Sequence, residues 1–85
     1  MATEPTSPMM SRWATMVRYD PLALDLYLLW TLRAVFGLSD GRAVELTRQV
    51  RVDGAAEVSR GARETMERDA TALLSYGLLV TVERR

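Results

Sequence analysis

Chemistry in this chain must come from carboxylates and guanidinium groups, because its 85 residues include no histidine and no cysteine. Disulfides, thiol nucleophiles and the usual zinc ligand sets are excluded, and no serine stands beside a plausible base. What remains is eleven arginines against eleven acids, with no lysine. A formal charge of zero gives neither a basic field for nucleic acid nor a polyanionic tail. Such groups serve best in recognition: a guanidinium fork takes a carboxylate, and carboxylates take an ammonium. Asp20, Asp25 and Arg51 are one set of candidates. Glu64, Glu67 and Arg68 are another, with both glutamates near the positive end of a helix dipole and Glu64 four residues before Arg68. The expectation is a binding module with no cofactor, no metal and no enzymatic activity of its own.

These residues must be placed by a small scaffold. Trp13 to Val17 alternates as a first strand, and Asp20-Pro21 predicts a helix start, with Asp as cap and Pro in the first turn. That helix runs from Pro21 to Phe36 and stops at Gly37. Ser39 caps a second helix whose Ala43, Leu46 and Val50 recur at helical spacing, and Gly54 ends it. Ala56 to Ser59 alternates as a second strand, and Gly61 turns the chain into a third helix with Met66, Ala70 and Leu73 on one face. Gly77 stops it before a last strand of Leu78, Val80 and Val82. The order β-α-α-β-α-β predicts an α+β sandwich, a three-stranded antiparallel sheet packed against three helices. Residues 13–85 form the domain. Residues 1–12, rich in Pro, Ser and Thr and without the apolar run of a signal peptide, are expected to be a flexible arm of a cytoplasmic protein. Extended, the arm would reach roughly 40 Å.

The first helix, LALDLYLLWTLRAVF, is apolar almost all round. It is too short and too charged to span an apolar bilayer core of about 30 Å. Leu24, Leu28, Thr31 and Val35 make a core stripe, and Leu22, Leu26 and Leu29 make a second one. Burying two extra leucines is worth about 3 to 5 kcal/mol. Either they enlarge the chain's own core, or they meet a partner or a second copy. Trp13 and Trp30 are expected as core or interface aromatics.

The run QVRVDGAAEVSRGARETMERD, together with Trp13 to Val17, Asp20-Pro21, Phe36-Gly37 and Gly77-Leu78-Leu79-Val80-Thr81, resembles the actinobacterial branch of the ClpS family, the small adaptors of Clp-type unfoldase-protease machines. The resemblance covers Trp13 to Val82 without a gap. It implies a pocket for the first residue of a substrate with a large apolar side chain. In that family an Asn-Asp pair before the first helix and a His at the end of the second hold the ammonium. At those positions this chain has Tyr19, Asp20 and Arg51. A polar residue becomes Ala23, a Met becomes Asp25, a second-helix Met becomes Thr47, and Val50 fits the pattern.

These departures predict a degenerate pocket. Arg51 is permanently cationic and offers no acceptor, so it repels an ammonium where a neutral imidazole would not. Asp25 disfavours a buried apolar side chain. Arg51 can pair with Asp20 or Asp25 and close the pocket, receive a carboxylate instead, or stand as a solvated charge at its helix end. Asp20 can equally be a helix cap alone. Two functions compete. One is an adaptor presenting substrates to a Clp AAA+ unfoldase with altered or lost N-terminal-residue recognition, docking through the region of Glu64, Glu67 and Arg68. The other is a repurposed subunit that binds a partner enzyme, a precursor peptide or itself through the first helix, unrelated to proteolysis. Both are protein-binding roles, without nucleic acid or membrane.

Overall fold

In the computed structural model, which describes residues 12–85, six elements follow one another: β1 (Trp13–Arg18), α1 (Asp25–Phe36), α2 (Asp40–Asp53), β2 (Ala55–Gly61), α3 (Arg63–Leu74) and β3 (Val80–Arg84). This is the α+β class and the order that the sequence predicts. Of the expected arm, only Arg12 lies within the described residues. The sheet is antiparallel with strand order β2-β1-β3, so β1 is central and Ala14 to Val17 are all buried. Alternate residues of a strand face opposite ways. Val17 joins Leu28, Leu32, Leu46, Val50, Ala56, Leu73 and Leu78 in the core beneath the helices, and Thr15 donates its hydroxyl to the Met66 carbonyl at 2.8 Å.

Ala14 and Met16 take the other face, where charged side chains cover them. Arg18 pairs with Glu83, Arg85 lies 3.8 Å from Glu83 and 3.4 Å from Glu57, and Arg60 meets Glu57 through two hydrogen bonds of 2.8 Å. The aliphatic stems of these arginines account for the burial of Ala14 and Met16 on a face with no helix. A β-bulge makes this possible. Thr15 pairs with Ser59 but Met16 with Glu57, so Val58 is an extra residue on β2. Without it Glu57 and Arg60, three apart, would point to opposite faces.

Local signals explain most boundaries. Ser39 Oγ accepts from the Arg42 amide at 3.2 Å and caps α2, while Gly37 and Gly54 end their helices at φ of 65° and 86°, the left-handed region that a side chain disfavours. Arg33 and Asp40, 2.9 Å apart, bridge the turn between α1 and α2. Three expectations are corrected. The first helix starts at Asp25 rather than Pro21, because Asp20 spends its carboxylate on the Leu22 amide (2.9 Å) and its carbonyl on the Ala23 amide (3.0 Å), closing a turn instead of capping a helix. Gly61 closes β2 opposite Trp13, and the chain turns at Ala62. The last strand starts at Val80, with Leu78 buried in the core ahead of it.

The turn at residues 21–24 changes which leucines are inside. Leu24 is extended and 74% exposed, so it does not belong to the core stripe, whereas Leu32, fully buried, takes a central place. Leu46→Ala and Leu32→Ala are each expected to cost about 2–5 kcal/mol in urea unfolding, and Leu26→Ala less than about 0.5 kcal/mol. Glu57 gives a pH test. Hydrogen bonding from Arg60, reinforced by the charges of Arg60 and Arg85, outweighs burial and holds its carboxyl below the usual range. A depressed folded-state value means stability that is present above the unfolded carboxyl range and lost as pH falls through the folded value. Glu57→Gln is therefore expected to lower the thermal midpoint at neutral pH and to shrink the gap between neutral and strongly acidic conditions.

Candidate functional site

Two backbone hydrogen bonds place the site. Where β1 ends, the Arg18 amide donates to the Leu79 carbonyl (2.8 Å) and the Tyr19 amide donates to the Gly54 carbonyl (2.9 Å). The first ties the strand end to the approach to β3, and the second ties it to the residue that stops α2. Residues 19–24 must therefore turn beside the last turn of α2 before α1 begins. α1 and α2 run back from each other across a short connection, so the start of α1 meets the end of α2. Asp25 stands at the positive end of one helix dipole and Arg51 at the negative end of the other, each favoured where it is.

They meet in an ion pair, Arg51 Nη1 donating to Asp25 Oδ2. Hydrogen bonding to Asp25, and then its charge, hold the Arg51 guanidinium protonated even more firmly than usual. Both side chains are partly exposed, so salt weakens the pair. Behind it lies a cavity of about 20 Å³. The buried Val17, Leu28, Val50 and Leu78 give it apolar walls, and Tyr19, Asp20, Ala23, Asp25 and Arg51 also line it. That volume suits about one water molecule, whereas a cavity that accepts benzene is on the order of 150 Å³.

Of the seven residues expected at the pocket, six line this cavity: Tyr19, Asp20, Ala23, Asp25, Val50 and Arg51. Thr47 lines a neighbouring groove instead, between α1 and α2, which shares Asp25 and Arg51 with the cavity. The Thr47 side chain is buried and its hydroxyl finds no hydrogen-bond partner among the described residues. Leu28 and Leu78, which the sequence reading did not assign to the site, form part of its wall; helical spacing marked the first as apolar, but nothing local says that it faces the cavity.

The residues expected at docking surfaces fall in two places. Leu22 and Leu26 are 90% and 75% exposed, and Leu29 is half-buried. Enlargement of the chain's own core is thus not what Leu22 and Leu26 do. Beside them Trp30 stacks near Tyr27 (6.3 Å between centroids) and meets Tyr76 edge-on (6.0 Å), leaving an exposed aromatic cluster. Glu64, Glu67 and Arg68 lie on the exposed face of α3. The ion pair in that turn is Arg63 with Glu67 at 3.0 Å; the expected Glu64–Arg68 pair does not form. Arg63 also sits over the Trp13 ring, 4.9 Å from its centroid, so it stands between two partners on one side of the helix.

A domain of this kind, with a small apolar recess ringed by charge, is a protein-binding module. Among the described residues no three metal-ligating side chains gather, and no described helix is long and apolar enough to cross a membrane. Relatives give the class a family. ATP-dependent Clp protease adapter protein ClpS of Streptomyces coelicolor is 40% identical over 72 residues, covering 85% of this chain and 75% of its own length. The protein of that name in Mycobacterium leprae is 39% identical over 74 residues, covering 87% and 68%. The chain belongs to the ClpS family, and it is an adaptor rather than an enzyme. No family model matches it. Among solved structures, Agrobacterium tumefaciens ClpS2 bound to L-phenylalaninamide superposes with a TM-score of 0.75 over 89% of this chain and 99% of that one, at 22% identity, which speaks for the fold.

The buried hydroxyl yields a stability test. An unsatisfied buried hydroxyl costs about 1–3 kcal/mol, so Thr47→Val, which keeps the shape and removes the polar atom, is expected to raise unfolding stability by about 1 kcal/mol.

Proposed function

We propose that this chain is an adaptor of Clp-type proteolysis whose pocket for N-terminal residues is closed. The observation that carries the reading is the Asp25–Arg51 ion pair on the lining of a cavity of about 20 Å³. An N-terminal residue with a large apolar side chain needs two things there: acceptors for its ammonium and a volume for its side chain. Arg51 has only donors, one oxygen of Asp20 already accepts from the Leu22 amide and one of Asp25 from Arg51, and the volume is that of about one water molecule. Family membership supports the adaptor role. A protein of the same fold was solved with L-phenylalaninamide, a ligand that pairs a free ammonium with a large apolar side chain, and the residues around this cavity disfavour such a ligand. Docking onto an unfoldase is assigned to the exposed face of α3 around Glu64, Glu67 and Arg68.

A second reading is favoured by the exposure of Leu22, Leu24 and Leu26, which a monomeric adaptor has no reason to keep in water. On it the chain is a repurposed subunit held to a partner enzyme, a precursor peptide or a second copy by α1. Leu26→Glu with Leu29→Glu separates the two. A folded variant that still stimulates degradation of a reporter by the unfoldase-protease favours the adaptor; loss of a stable complex with unchanged circular dichroism favours the subunit.

The direct test is fluorescence anisotropy with labelled peptides that start with Phe, Leu, Trp or Tyr, each beside an acetylated control. Wild-type chain is expected to show no acetylation-sensitive binding up to high micromolar concentration. Micromolar binding abolished by acetylation would mean an open pocket. Tyr19→Asn with Arg51→His and Asp25→Met supplies an acceptor and removes the ion pair; it is expected to raise affinity for the Phe-initiated peptide by at least about tenfold, the scale of one charge-assisted hydrogen bond.

A further inference from the structure

We infer that the groove between α1 and α2 is a site for a free peptide C-terminus with an apolar last side chain. The inference goes beyond the adaptor reading and does not require the neighbouring cavity to be closed. The groove holds about 390 Å³, within the range of small-ligand sites. Its apolar lining is Leu26 and Leu29 from α1 and Val44 from α2. Arg48 stands on its rim, and among the described residues no acid pairs with it. Arg51, at one end, gives Asp25 a single nitrogen and keeps further donors.

A third feature is the Thr47 hydroxyl. Thr31 and Thr71 donate theirs to the carbonyl four residues earlier, at 2.8 and 2.9 Å, and so satisfy them within their own helices. Thr47 does not; its oxygen is covered and unpartnered, on a side chain that lines the groove. A helical threonine has two favourable χ1 wells, and rotation from one to the other carries the hydroxyl to a different side of Cβ. A ligand amide that donates to this oxygen removes an unsatisfied group from the free protein.

Together these features call for a carboxylate, an amide donor and an apolar side chain. Only the last residue of a chain carries a carboxylate and an apolar side chain on the same carbon, with its own N–H beside them. An Asp or Glu within a peptide puts its carboxylate on the side chain and leaves the leucine lining to another residue. Arg48 takes the terminal carboxylate, Leu26, Leu29 and Val44 take the side chain, and Thr47 accepts from the amide. The ammonium of a substrate N-terminus is disfavoured in this groove, since two guanidinium groups line it and its one acid, Asp25, is already paired with Arg51.

The experiment uses the full chain and labelled decapeptides of Gly and Ser, all N-acetylated, ending in Leu or Phe with a free carboxylate. Controls are the C-terminal amides and an amidated peptide with an internal Leu-Asp pair. The expected result is binding of the free acids that weakens at least about tenfold on amidation and in Arg48→Glu, the scale of a lost charge-assisted hydrogen bond. Thr47→Val is expected to bind more weakly while unfolding at higher denaturant. Equal binding of acid and amide, equal binding of the internal acidic control, or no binding of any peptide at millimolar concentration overturns the inference. Because every probe is acetylated, these outcomes are independent of whether the cavity reads N-termini.

Discussion

Burial of β1 on both faces is the constraint on which the rest of this structure depends. A three-stranded sheet has one interior strand, and here its four middle residues are out of water although helices cover only one side. The helix side is closed by hydrophobic burial around Val17, the opposite side by arginine stems above Ala14 and Met16. Both coverings are fixed by strand register, and that register also fixes where β1 ends. The end is the origin of the candidate site, since the amides of Arg18 and Tyr19 reach to either neighbour and carry the chain into the turn before α1.

From that point the charges follow. Asp25 and Arg51 are each favoured by the dipole of their own helix, and the hairpin of α1 and α2 brings the two ends together. The pair is a product of helix geometry as much as of mutual attraction. It stands between a cavity too small for a side chain and a groove large enough for one, with Thr47 displaced to the groove side.

Much of this was legible in the sequence, and what was not has identifiable reasons. Glycine at 37 and 54, serine at 39 and the helical spacing of Ala43, Leu46 and Val50 act locally, so their elements were read correctly. The family resemblance grouped residues far apart in sequence, and six of seven line one cavity. Asp20-Pro21 misled because a carboxylate that accepts from an amide two residues on closes a turn as readily as it caps a helix. That choice placed Leu24 in the core and left Leu32 out. The bulge at Val58 was invisible, since alternation in a sequence says nothing of a residue added against only one partner strand. The size of the cavity and the loneliness of the Thr47 hydroxyl depend on packing between elements, which no local pattern encodes.

The bulge at Val58 has a consequence for how such a small sheet stays a single sheet. Both β2 and β3 are edges, and an edge strand offers unpaired amides and carbonyls to any other extended chain. An extra residue twists β2 away from the flat geometry that stacking strands need, and β3, VTVER, carries two charges in five residues. An extended chain that meets either edge therefore finds a twisted or a charged template rather than a flat apolar one.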